Sequence, residues 1–153
     1  MFGKSVAEYL RFQRAILALI VLAFVVRLGL SVAGVPSAIT WWVSVTGVLL
    51  FGILYYGVAV HTKGFGSYKQ LYPLMLFQGT LGEGLVALAV AWAILTSRDN
   101  IYTAPEYSGG GDGKNWLHVG AHLVLGIVVL PLVSWAIGSL VMFVTRKVAP
   151  RAA

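Results

Sequence analysis

Between Ala38 and Val60 the chain runs for 23 residues without one Asp, Glu, Lys, Arg or His. About 20 apolar residues in a helix cross the hydrocarbon core of a bilayer, so this stretch alone restricts the folds open to the chain. Three further runs have the same character. Ala15 to Ala33 is interrupted only by Arg27, Leu71 to Thr96 carries Glu83, and Trp116 to about Val144 opens with His118 and His122. Gly34-Val35-Pro36-Ser37 separates the first two runs, and the polar stretches 61–70 and 97–115 separate the others.

These runs predict an all-α protein: an integral membrane bundle of four transmembrane helices, at about 15–33, 38–60, 71–96 and 116–144, forming a single domain over residues 1–153. Composition agrees, since 59% of the residues are hydrophobic and 10% charged, whereas soluble domains carry about 25% charged residues. The net charge of +6 fits basic residues gathered at helix ends better than a nucleic-acid surface, and no nucleic-acid partner is expected. With no cysteine, thiol catalysis and cysteine-ligated metals are excluded.

Lys4, Arg11, Arg14, Lys63, Lys69, Arg146, Lys147 and Arg151 fall on one side of this layout, and Arg98 and Lys114 on the other. The positive-inside rule then places both termini in the cytoplasm (N-in/C-in) and the 97–115 loop outside, with a bacterial inner membrane as the expected location. The opening residues, too polar for a cleaved signal, are expected to be retained. Val6, Tyr9, Leu10 and Gln13 set against Lys4, Glu8, Arg11 and Arg14 suit a segment lying on the cytoplasmic leaflet before the first span.

Charges inside spans cost about 2.5–3.5 kcal/mol each at a helix centre, and either fix helix register by pairing with one another or serve to bind an ion, a proton or a polar ligand. Arg27 and Glu83 each lie 12 residues into helices that run the same way, about 18 Å deep at 1.5 Å per residue. Leu19, Ala23, Arg27 and Ser31 form one stripe and Gly79, Glu83, Ala87 and Ala91 another. The expectation is an Arg27–Glu83 ion pair inside the bundle.

His118 and His122, four apart, share a helix face near the outer surface. They suit a hydrogen-bonded pair, or with Glu83 a site of two histidines and one carboxylate for a metal. Haem ligated by two histidines needs facing partners at one depth, and His61 lies at the other end of the bundle. A quinone cleft could draw on His122, Trp116, Tyr55 or Tyr56. No cofactor is specified by these patterns. Pro131 should kink the last helix near the Ile127 carbonyl, and Gly47, Gly52 and Gly57 serve packing or flexibility in the second.

Three functional expectations follow. The first is a non-catalytic accessory or structural subunit of a membrane assembly, with the bilayer and other membrane subunits or further copies of the chain as partners. The second is a transporter or channel with a buried site of Arg27, Glu83 and His122. The third is a redox, metal- or quinone-binding component built on His118 and His122.

Overall fold

A computed structural model describes residues 1–149. Six α-helices occur among them: α1 (Val6–Val32), α2 (Ser37–Thr40), α3 (Val45–Thr62), α4 (Tyr68–Thr96), α5 (Trp116–Ala121) and α6 (Leu130–Val148), with a π-helical stretch at His122–Val129 joining α5 to α6. No strand occurs among the described residues, and four helical stretches are long and apolar enough to cross a membrane.

Ser5 starts α1. Its hydroxyl accepts from the Glu8 N–H at 3.2 Å while the Glu8 carboxylate accepts from the Ser5 N–H at 2.8 Å, a reciprocal cap. Nothing between Glu8 and Ala15 breaks the winding, so the segment expected to lie flat on the leaflet is instead the first part of α1. Its buried stripe is Tyr9, Gln13, Ile16, Ile20, Ala23, Phe24 and Arg27. Leu19, placed on the Arg27 stripe by spacing from Arg27 alone, is exposed. Gly34, at φ +79°, supplies the left-handed turn after the helix.

The apolar run 38–60 is divided in the structure. α2 is a single turn, and Ser44 caps α3 by accepting from the Gly47 N–H at 3.2 Å. A similar cap at Ser67 and Gln70 starts α4 at Tyr68 rather than Leu71, which moves Pro73 from the first turn into the second. Next to Pro131, where a kink was expected, the winding changes from π at His122–Val129 to α from Leu130 onward. In α winding the proline ring collides with the carbonyl four residues back; here the Leu130 N–H reaches back five residues, to the Leu125 carbonyl, just before the ring.

α3 and α4 both pack on α6, α1 packs on α3 and α4, and the α1 backbone does not closely approach the fourth helical stretch among the described residues. The first and last spans therefore stand at diagonal corners. Small residues set the spacing of α3 and α6: a methyl added to Gly57 would meet Val141 Cβ at 2.7 Å and the Gly138 carbonyl at 2.9 Å. Gly52 similarly accommodates the Gln78 side chain.

The 97–115 loop folds onto the bundle. The Asn100 side chain donates to the Ala89 carbonyl at 2.9 Å and accepts from the Tyr102 N–H at 2.9 Å, and Ile101, Tyr102 and Thr103 are buried. A 3-10 turn, Pro105–Tyr107, follows.

Candidate functional site

The charges within the apolar helices are partnered differently from the sequence expectation. Glu83 Oε2 lies 2.6 Å from His122 Nδ1, and no Arg27–Glu83 ion pair forms among the described residues. Equal depth does not imply facing side chains. Glu83 turns toward the fourth span, where Gly126 leaves room for it: a methyl at 126 would stand 2.7 Å from Glu83 Cβ. Arg27, on the diagonal helix, is met instead by the loop.

Arg27 is 6% exposed. Its guanidinium carbon lies 4.7 Å from the Tyr107 ring centroid and 5.5 Å from that of Tyr102. Cation–π attraction of this kind is worth about 2 kcal/mol or more once water is excluded. Its Nε has no hydrogen-bond partner within the described protein. Tyr102 in turn stacks on Phe24, centroids 5.6 Å apart, and Tyr107 on Trp41 at 6.3 Å. Burial pushes the Tyr102 hydroxyl up to about 12, with nearby Arg27 pulling the other way.

His122 continues the series begun at Glu83. Its Nε2 is 3.1 Å from His118 Nε2, and His118 Nδ1 is 3.0 Å from the Gly113 carbonyl. Asn115, which caps α5 by accepting from the His118 N–H at 2.8 Å, fixes the start of the helix that carries both imidazoles. Gly113 is buried so tightly against the Thr103 backbone that no side chain fits there.

The partners assign the hydrogens. A carbonyl only accepts, so His118 Nδ1 donates to Gly113. If each remaining bond also holds one hydrogen, the three side chains share three. That is one more than two neutral imidazoles and a carboxylate own, so the filled series is neutral overall. Losing the third hydrogen leaves a charge of −1 and breaks one bond. Filled in this way, the series would let the Glu83 carboxyl sit between apolar helices without arginine.

Glu83, His118 and His122 line an open cleft of about 560 Å³ at the loop end, walled by Tyr107 on one side and by Leu125, Val129 and Leu130 on another. The three polar groups stand in series rather than converging on one point, and no metal-holding cluster of three or more His, Cys, Asp or Glu occurs among the described residues. His61 lies at the opposite end, with Nε2 3.2 Å from the Ala149 carbonyl, so no histidine faces His118 or His122 across the bundle. Trp116 is exposed at the start of α5, while Tyr55 contacts Lys63 and Tyr56 the Phe12 carbonyl; none of the three lines the cleft.

Spacing from Arg27 and Glu83 did not reveal Tyr107, which joins Arg27 to the cleft wall, or the pair Gln13 and Gln78. Gln13 is fully buried, Gln78 is 2% exposed, and Gln78 Nε2 donates to Gln13 Oε1 at 3.3 Å. The signal for Gln13 was present in its register with Tyr9, Ile16 and Ile20. Tyr107 had none, because a loop has no period.

The fold and site define a helical bundle with four membrane-length helical stretches and a histidine–carboxylate series opening into a cleft at one end. Compared with known family models, curated proteins and solved structures, the chain matches none.

Proposed function

We propose that this chain is an integral membrane protein, with its termini in the cytoplasm and its loop end outside, that handles protons as a proton-linked carrier. The observation that carries the reading is the 2.6 Å contact between Glu83 and His122, extended through His118 to the loop. One transferable hydrogen separates the neutral state of this series from a state of charge −1, so occupancy of the cleft by a small ligand and protonation of Glu83 are coupled by charge. The exposed apolar residues along the helices, Leu88, Leu117 and Leu140 among them, suit lipid as the surrounding solvent. Arg27 acts from outside the cleft, by holding Tyr107 in its wall.

Infrared difference spectroscopy of the purified protein, taken across an acid-to-alkaline titration, tests this. The spectrum should show coupled carboxyl and imidazole changes, both altered in Glu83→Gln. A wild-type spectrum in which no carboxyl changes with His122 would overturn the reading.

A second reading, an accessory subunit of a larger membrane assembly, is supported by a different surface. An apolar groove of about 670 Å³ runs over α4 between α1 and the start of the fourth helical stretch, lined by residues such as Leu17, Phe77, Leu81, Leu88, Val119 and Leu123, and suits a partner's transmembrane helix. Extraction in mild detergent as a lone monomer with no companion chain would count against it.

A further inference from the structure

The polar interior does not end at Glu83. A narrow cavity of about 40 Å³ lies between α3, α4 and α6, walled by Gln78, Gly79, Leu130 and Ser134 and opening to the bundle surface past the exposed Thr46 and Leu50. That volume holds one or two water molecules. Ser134 is buried, and Gln78 Oε1 and Gln13 Nε2 are buried atoms with no hydrogen-bond partner within the described protein. Unsatisfied amide atoms at this depth are costly, and a water donating to Gln78 would remove part of that cost.

Leu130 belongs to both spaces. It lines the loop-end cleft that contains Glu83 and His122, and also the inner cavity that contains Gln78 and Ser134. Gln78 and Glu83 lie five residues apart on α4, about 7.5 Å along its axis. Leu130 also sits where π winding changes to α winding, directly before Pro131, a backbone junction of the kind that accompanies functional sites.

We infer that Leu130 is an apolar gate between two hydrated compartments, and that protons pass between Glu83 and water in the cavity beyond Leu130, where the Gln78 amide and the Ser134 hydroxyl hold that water without taking up the proton themselves. This rests on the proton-handling reading above and adds its route. Only protons are exchanged along hydrogen bonds, so the passage needs no oxidant or reductant. An apolar constriction of this sort excludes water until it opens.

The test uses proteoliposomes with an entrapped pH-sensitive dye and a valinomycin-clamped potassium potential. Shortening the gate should raise voltage-driven proton entry in the order wild type, Leu130→Val, Leu130→Ala, by tenfold or more at alanine, and Glu83→Gln added to Leu130→Ala should return it to the wild-type level or below. Leu130→Val, one methylene smaller, keeps the series informative if the alanine variant folds poorly. The absence of native cysteine permits a second readout: Ser134→Cys should react with silver ion faster when Leu130→Val or Leu130→Ala is also present. Proton entry and silver reactivity that both ignore residue 130 would overturn the gate. If the infrared titration still showed Glu83 and His122 exchanging a proton, the carrier reading would stand without this route.

Discussion

Gly126 lies directly against the Glu83 side chain, and a methyl at position 126 would stand 2.9 Å from Glu83 Oε2, the oxygen that faces His122. The shape of the fourth span and the placement of the carboxylate are thus one packing decision. Gly126→Ala should cost about 1–3 kcal/mol, the usual range for overpacking, and move Glu83 off His122. Thermal unfolding in detergent measures the first effect and histidine side-chain NMR the second. Unchanged imidazole resonances would show that the glycine is not what positions the carboxylate.

Tyr107 fixes the loop through Arg27. Tyr107→Phe keeps the ring and should leave the loop in place, whereas Tyr107→Ala removes an aromatic face worth about 2 kcal/mol to a desolvated guanidinium. Limited proteolysis within 97–115 reports the difference: faster cleavage is expected for alanine and wild-type cleavage for phenylalanine.

Tyr102 carries a buried hydroxyl with no hydrogen-bond partner within the described protein, while its ring packs on Phe24 and under Arg27. Tyr102→Phe should therefore stabilise the protein by about 1 kcal/mol, the desolvation cost of an unpaired hydroxyl. The sign with pH follows from the raised folded value of about 12 against the ordinary 10.0. The folded chain holds the phenol proton more tightly, so this group's contribution is constant below pH 10 and is lost as pH rises through about 12. Chemical unfolding between pH 9 and pH 12 should show that extra loss in wild type and a shallower decline in Tyr102→Phe.

Gln13 and Gln78 pair across α1 and α4, and each also leaves one atom without a protein partner. Gln13→Leu or Gln78→Leu alone should cost about 1–3 kcal/mol by stranding the other amide, and the double variant less than the sum. A double-mutant cycle on unfolding free energies decides it, strict additivity counting against the pair.

The helical class of the protein and the four membrane-length stretches were legible in the residues because apolar length is a local property. The adjacency of His118 and His122 was legible too, since four residues return a helix to the same face. Helix starts were shifted by Ser5 and Ser44, whose short side chains accept nearby backbone N–H groups, and by Ser67, whose N–H and hydroxyl both donate to the Gln70 side chain; these caps are in the sequence and compete with apolar runs in setting where a helix begins.

What the sequence by itself determined is therefore length, helical class and the presence of polar groups within long apolar stretches. Their partners were decided by tertiary structure. Arg27 and Glu83 match in depth, but depth is one coordinate, and pairing also needs the rotation of each helix and the order of helices around the bundle. With the first and last spans at diagonal corners and Gly126 opening a place for the carboxylate, Glu83 meets His122, and Arg27 is left to two tyrosines from a loop whose path no periodicity encodes.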